Sequence, residues 1–379
     1  MSHTASTDFD TVIAGAGPVG CALALWLLRR GHDPQRLLLI DKNPVETSLS
    51  DPRALALSAG SLMLLRECVS DQDLTGSDLL QVHISQQGSL GQVRLSAQDM
   101  QLASLGRVLR YADLMRSLLD ALTARGLVIQ RPQTLSNWRE TLDSIECQTE
   151  TAAYTTQALV QAEGGMADEQ QSRVPYDQTA LVAEVRVSRP RPHIAFERFT
   201  PEGPLAILPL TSQKHELYSL VWCMSPAQAE RRMLLNEQSF ALELQQSFGQ
   251  RLGSLSLHSA RQAYPLASIQ SSATGTRYVR IGNAAQILHP VAGQGLNLGL
   301  RDAYCLAQAW TQTQSWSERL AHYETSRKRD RLILTELTGL LARGFTWPLQ
   351  PLTGALLTGL DLWPAARRTL AHTLIFGWR

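Results

Sequence analysis

Apolar residues fall in short runs along the chain, divided by glycine, proline and polar turns, and the length of each run predicts the element it forms. Thr11–Ala14 is a β-branched and apolar run after Asp10, enough for a short buried strand. A helix is predicted from Val19 to Arg30, with Gly31 placed where a glycine ends one. Leu37–Ile40 is a second apolar run and stops at Asp41. The opening therefore reads strand, glycine-rich turn, helix, strand.

In the middle of the chain the pattern changes. Val82–Ser85 and Gln92–Leu95 flank Gln87-Gly88-Ser89-Leu90-Gly91 and predict a hairpin. After a Pro/Arg-rich stretch at 186–192, strand-like runs follow at Ala195–Thr200, Leu205–Leu210 and Leu217–Met224, predicting an antiparallel sheet. Pro226 opens one predicted helix to about Phe248. A buried strand ending at Gly282 is followed by a helix from near Gly295–Asn297 to about Gln312. Residues 331–379 are rich in leucine and tryptophan and are broken by Pro348, Pro351 and Pro364. Neither an internal repeat nor a low-complexity linker interrupts this order.

Composition narrows the class. A chain of 379 residues exceeds the usual single domain, so more than one folding unit is expected. With 44% hydrophobic and 18% charged residues it has the apolar surface that a disordered chain lacks. Thirty-five basic against 34 acidic residues leave +1, which argues against a nucleic-acid binder. Five scattered cysteines without a C-x-x-C pair suit neither a disulfide scaffold nor a metal site, and fit a reducing cytoplasm. The polar start MSHTASTDFD carries no signal-peptide pattern, and no apolar run reaches the ~18 residues of a spanning helix. The expectation is a cytoplasmic chain, soluble or peripheral to the inner membrane.

The first turn carries the first candidate chemistry. Gly15-Ala16-Gly17-Pro18-Val19-Gly20 has the G-x-G-x-x-G spacing, and Asp41 follows 21 positions after the last glycine. Gly15 permits a tight turn, Gly17 lets a pyrophosphate approach the backbone, and Gly20 lets helix and strand pack closely. The helix N-terminus, opened by Pro18, offers free N–H groups and a positive dipole end to phosphate. Asp41, with Lys42 beside it, is placed for ribose hydroxyls. This motif fits NAD and FAD alike, since both carry an ADP moiety.

A later motif separates them. Gly282-Asn283-Ala284-Ala285 continues through His289-Pro290-Val291-Ala292-Gly293-Gln294-Gly295-Leu296-Asn297 to Arg301-Asp302-Ala303. It resembles the second FAD motif of the aromatic hydroxylases related to p-hydroxybenzoate hydroxylase. Asp51-Pro52-Arg53, Tyr176-Asp177-Gln178 and Ala195-Phe196-Glu197-Arg198-Phe199-Thr200-Pro201-Glu202-Gly203-Pro204 add to the likeness. The chain is most similar to the ubiquinone-biosynthesis monooxygenases, in the 2-octaprenyl-6-methoxyphenol hydroxylase branch.

The resemblance implies an α/β fold. A Rossmann-like FAD-binding domain (1–77, 99–172 and 266–330) would carry an inserted antiparallel β-sheet substrate domain (78–98 and 173–265) and a C-terminal helical segment (331–379). It implies an FAD-dependent hydroxylase acting on a polyprenylated phenol. NADPH or NADH would reduce the flavin, and O2 would form a C4a-hydroperoxide as the hydroxylating species. Gly293, Gln294, Gly295, Leu296 and Asn297 would meet the isoalloxazine through backbone groups, with Pro290 beside its reactive face. Asn283 would stand by the ribityl-phosphate region, where many relatives have aspartate. Arg53 and Arg110 are the charged candidates for flavin contacts. Asp302 either contacts flavin or pairs with Arg301 or Arg280, and His289 is either catalytic or a satisfied loop histidine. No residue stands out as a phenol-activating base.

One segment departs from the family pattern. After the strand at Ala158–Ala162, relatives carry A-D-G-x-x-S-x-V-R, whereas this chain has Ala162-Glu163-Gly164-Gly165-Met166-Ala167-Asp168-Glu169. Glu163 keeps a carboxylate, but the Ser/Arg pair is displaced or lost. A second reading follows, in which the chain is a catalytically weak FAD-binding scaffold among other ubiquinone-biosynthesis proteins. The tail adds a further choice: its five arginines against Glu336 and Asp361 give +3 beside many Leu and Trp residues. Membrane-surface or partner docking and plain packing on the FAD domain both fit.

Overall fold

The computed structural model describes residues 7–164, 173–211, 214–270, 274–311, 315–344 and 350–377. Its first layer is a seven-stranded sheet built outward from Phe9–Ala14. That strand pairs in parallel with Leu37–Ile40 on one side and Ala153–Gln161 on the other. Tyr278–Arg280 adds in parallel to Ala153–Gln161, and two antiparallel strands, Ile145–Thr149 and Leu135–Glu140, extend that side. Strands buried on both faces need continuous apolar sequence, which Val12–Ala14 and Leu37–Ile40 supply.

The helix Pro18–Arg29 crosses this sheet, with Leu23, Leu25, Trp26 and Leu27 wholly buried. Gly31 follows it at φ +91°, in the left-handed region where glycine carries no steric cost. The late helix, Gln294–Ala309, packs beside Pro18–Arg29 in the same core. Both helices therefore point their N-termini toward the C-terminal edge of the parallel strands, where open α/β sheets bind ligands.

A second, nine-stranded sheet holds the hairpin Gln81–Gln86/Gln92–Ser96 and the strands Arg173–Val187, Ile194–Thr200, Gly203–Pro209, Leu217–Met224 and Gln262–Gln270. Pairing is antiparallel, as the sequence predicts, with one exception: Ile194–Thr200 runs parallel to Gln81–Gln86. One face of this sheet, carrying Phe196, Leu205, Ile207, Leu220 and Trp222, is covered by two helices. The single helix expected from Pro226 to Phe248 is in fact these two, Pro226–Leu234 and Glu237–Phe248. Asn236 breaks the run: its carboxamide accepts a hydrogen bond from Ser239 N–H at 2.8 Å and so caps a new helix.

The C-terminal helices Trp316–Gly344, Gln350–Leu362 and Pro364–Phe376 do more than cover the first sheet. Leu357, Ala371 and Ile375 pack with Val93, Leu95 and Phe199 of the second sheet and with Val291 of the late loop. Ser58 Oγ donates to the Ile375 carbonyl at 2.8 Å, fastening the last helix to the strand Ala54–Ser58. The tail thus closes the space between the sheets. Among the described residues no helix is long and apolar enough to cross a membrane. Phe345, Trp347, Leu349 and Trp378 lie outside the described residues, while Leu356, Leu362 and Trp363 are exposed.

Candidate active site

Between the two sheets runs one cavity of about 840 Å³. Its first end is built from the Gly-rich turn. Gly15 sits at φ +105°, and a Cβ there would lie 2.6 Å from the Ala162 backbone. A Cβ on Gly20 would fall 1.9 Å from the Gly15 carbonyl oxygen. These two glycines fold the turn tightly onto the sheet. A Cβ on Gly17 would instead meet only the Tyr111 hydroxyl, at 3.7 Å, and project toward the cavity. No side chain caps the first turn of the helix that starts at Pro18, so its leading N–H groups remain available to a ligand.

Asp41 shapes this end. Its carboxylate accepts hydrogen bonds from Ala16 N–H at 2.7 Å and Asn43 N–H at 2.8 Å, and each oxygen keeps a lone pair for a ligand hydroxyl. Arg53 is held by both oxygens of Asp51, with Nη2 at 2.6 Å, and lies 5.0 Å over the Tyr111 ring. Burial pushes the Tyr111 phenol up to about 12, so it stays neutral.

The middle of the cavity is the late loop. Pro290, Gly293, Gln294, Gly295, Leu296 and Asn297 all line it, as does Asn283. Gly293 adopts φ +59° and starts the late helix without a side-chain cap, while a Cβ on Gly295 would meet nothing within 4 Å. The helix thus presents bare backbone N–H groups to the cavity, a second anion-favouring terminus. The Asn297 side chain serves the protein itself. Its Oδ1 accepts from Ser58 N–H at 2.8 Å, and its Nδ2 donates to the carbonyls of Ala56 and Gly293, each at 2.9 Å. These bonds lock the helix start against the strand Ala54–Ser58.

His289 is a satisfied loop histidine. It is fully buried, Val291 N–H donates to its Nδ1 at 3.2 Å, and its Nε2 lies 2.7 Å from Gln178 Oε1. Accepting at Nδ1 and donating at Nε2 is the work of a neutral ring. Burial lowers its pKa to about 4. An unfolded histidine titrates near 6.5, so the folded state loses stability as pH falls from about 6.5 through 4. The loss between pH 7 and pH 5 should be about 2 kcal/mol. His289→Asn, which cannot titrate, should remove this component from urea unfolding measured at the two pH values. An equal pH-dependent loss in both proteins would disprove it.

Most residues expected at the site therefore meet in one space. Gly15, Gly17, Pro18, Asp41, Lys42, Arg53 and Glu163 line its first end. Gly20 does not line it but packs the turn behind it. Arg110 is the correction: it is not on the cavity wall, and its guanidinium pairs with Glu184 of the second sheet. Asp302 pairs with neither Arg301 nor Arg280. Its buried carboxylate takes Arg327 at 2.7 Å and Arg331 at 3.2 Å from the helix Trp316–Gly344. Residues 165–172, which hold the rest of the Glu163–Glu169 departure, lie outside the described residues.

Sequence reasoning missed the far end. Val82, Ile84, Ala195, Glu197, Ala206 and Val221, from four strands of the second sheet, form an apolar wall with one carboxyl in it. Leu374 and Ile375 of the last helix close it from the other side. Alternation in Ile194–Thr200 is the one signal that points to Glu197, and it cannot tell a cavity from solvent.

A long space with two helix N-termini and a Gly-lined first half suits an extended dinucleotide; an apolar second half suits a hydrophobic substrate. The FAD binding domain family matches residues 8–332 of the chain. The ubiquinone hydroxylase UbiL of Rhodospirillum rubrum is 30% identical, over 99% of this chain and 91% of that protein. The 3-demethoxyubiquinol 3-hydroxylase of Escherichia coli is 28% identical, over 90% and 91%. Among solved structures, p-nitrophenol 4-monooxygenase PnpA from Pseudomonas putida superposes with a TM-score of 0.78 at 16% identity, over 99% of this chain and all of that one. Klebsiella pneumoniae HpxO, complexed with FAD, gives 0.77 at 15%, over 97% and 99%. Those two likenesses concern the fold, and the fold agrees with the family match. Sequence match and site geometry converge: the chain belongs to the FAD binding domain family, among the FAD-dependent monooxygenases that include these ubiquinone-biosynthesis hydroxylases.

Proposed function

We propose that this monooxygenase hydroxylates the aromatic ring of a polyprenylated phenol in ubiquinone biosynthesis, using FAD, O2 and NADPH or NADH. The observation that carries the reading is the continuity of the cavity, which joins the Gly15–Gly20 turn and the late-helix N-terminus to an apolar wall. The names of the ubiquinone-biosynthesis relatives support the substrate class. In the proposed division, residues 78–98 and 173–265 form the substrate domain on an FAD-binding unit of 1–77, 99–172 and 266–330.

The bound flavin would supply oxygen-transfer chemistry at its C4a, by the hydroperoxide route expected from the sequence. The chain's own residues bind and orient. Gly15, Gly17, Pro18 and Gly20 form the pyrophosphate cradle, with Asp41 and Lys42 at the adenosine ribose. Arg53, Glu163 and Asn283 lie along the ribityl and phosphate path. Gly293 to Asn297 stabilise negative charge on the reduced ring through backbone N–H groups, and Pro290 sits beside the reacting face. The apolar wall excludes water from the reacting oxygen. Exposed Leu356, Leu362 and Trp363 on the outer side of the tail support peripheral contact with the membrane that holds such a lipid-tailed substrate.

Anaerobic mixing of the FAD-loaded protein with NADPH or NADH and a prenylated phenol, then admission of O2, tests the reading. Flavin bleaching followed by a product with one added oxygen is expected. Absence of bleaching with either nucleotide would sink the self-sufficient monooxygenase and leave the scaffold reading. Bleaching without hydroxylated product would point to reductase chemistry.

A further inference from the structure

Glu197 is an anomaly in the second sheet. It occupies the middle of Ile194–Thr200, pairing with Ile84 on one side and Ala206 on the other, and Ala206 pairs onward with Val221. Since side chains alternate between faces, this row projects to one side together with Val82, Ala195 and Leu208. That side is the cavity wall, so the carboxyl stands in a row of aliphatic side chains and faces the cavity.

The carboxyl also has no partner. Its Oε1 is buried and without a hydrogen bond among the described residues. Other carboxyls of the same sheet and its covering helices are paired: Glu202 and Glu243 both hold the buried Arg232, at 2.6 and 2.9 Å. The neighbouring Arg198 does not compensate, because it lies on the opposite face and donates to the Ser247 carbonyl at 2.9 Å. Burying a polar group without a partner costs free energy, and a purely structural residue at this position would be aliphatic like its row. A ligand that completes the hydrogen bonding accounts for the group.

We infer that Glu197 binds the ring hydroxyl of the phenolic substrate and takes its proton during hydroxylation. This deepens the proposed function and rests on it. In the step, the phenol O–H bond breaks, its proton bonds to a Glu197 carboxylate oxygen, and the electron pair stays on the phenolate oxygen. The electron-rich ring is then the better nucleophile toward oxygen transfer. The proton leaves Glu197 to solvent once product departs.

The surroundings suit that task. Desolvation pushes the Glu197 carboxyl up to about 8. A phenol near 10 is then about two units away, against about six for a solvated glutamate, and proton transfer is most effective between matched groups. Few other charges can set this value. The titratable neighbour on the same face is the Cys223 thiol, which burial, and then Glu197 itself, pushes up. Ile84 and Val82 on one neighbouring strand and Ala206 and Leu208 on the other carry no charge. Neither do Val291 of the late loop nor Ala371, Leu374 and Ile375 of the last helix.

The test uses the FAD-loaded full chain and Glu197→Gln, a near-isostere. Retained FAD and a reduction rate by nicotinamide within twofold of wild type are expected, with hydroxylation slowed on the order of 100-fold. The rate of wild type should rise with pH through a value near 8, and that limb should move in the variant toward the phenol's own value of about 10. Glu197→Asp, which keeps a titratable carboxyl, should restore part of the rate and the lower limb. An unchanged rate and profile in Glu197→Gln would overturn the assignment while leaving the hydroxylase reading intact. Loss of FAD from both variants would make the residue structural and overturn it as well. A wild-type protein that hydroxylates no prenylated phenol would instead bring down the function on which the assignment rests.

Discussion

Asp302→Ala is expected to destabilise the protein by about 3 kcal/mol and to loosen the flavin half of the cavity with it. Asp302 and Asp330 are each 1% exposed, and they form a buried lattice with Arg301, Arg327 and Arg331. The lattice clamps the late helix Gln294–Ala309 to the long helix Trp316–Gly344. Asp302 also reaches Gly282 N–H at 3.4 Å, where the late FAD motif begins. Deleting one partner of a buried pair strands the other charge, which costs about 3–5 kcal/mol. The lower end applies here, because Arg327 keeps Asp330 and Arg331 keeps Glu324 and Tyr323. Thermal unfolding and flavin fluorescence followed together provide the check. The double variant Asp302→Ala/Arg331→Met should recover part of the loss, since it removes a stranded charge; strictly additive losses would refute the stranded-charge explanation.

Gly17→Ala and Gly20→Ala should fail in different ways although both add one methyl group. At Gly17 the methyl has room within the protein and projects into the space proposed for the pyrophosphate. The purified variant should therefore be folded, with an unchanged melting temperature in the absence of FAD and an affinity for FAD lowered about 100-fold, or ~2.7 kcal/mol. At Gly20 the methyl would stand 1.9 Å from a backbone oxygen, so helix and turn must separate. Such overpacking against backbone costs about 1–3 kcal/mol or more. That variant should lose stability with or without FAD. Dye-free calorimetry and the flavin content of the isolated proteins distinguish the two outcomes. A Gly17→Ala protein that purifies with full FAD would show that the ligand backbone does not approach at that position.

These contrasts show which parts of the molecule could be read along the chain. The first strand, turn, helix and strand were legible because each is local. Four buried aliphatics, a glycine turn and an amphipathic dozen residues fix their own conformation. The strands of the second sheet were legible for the same reason. Where a local signal was overlooked, prediction failed locally: Asn236 as a helix cap divides a helix that apolar spacing alone makes continuous. Arg110 illustrates a different failure. An arginine ending a strand beside the FAD unit is indistinguishable from a phosphate ligand until its partner Glu184, 74 residues away, is placed next to it.

Glu197 and the tail are the extreme cases. In the sequence Glu197 is a charged residue alternating with apolar ones, the ordinary appearance of a solvent-facing strand position. The last helix is an amphipathic segment with positive charge, suited equally to a membrane surface. Both assignments depend on what lies across a gap of several ångströms, and that depends on the packing of one sheet over another. The sequence by itself determined the elements, the two phosphate-favouring turns and the family, since these follow from backbone sterics and short-range spacing. Only the tertiary structure decided that His289 is a neutral pin, that Asp302 belongs to a clamp, and that the tail and Glu197 share one wall of the cavity. Burial and pairing are properties of segments brought together, and no single segment encodes them.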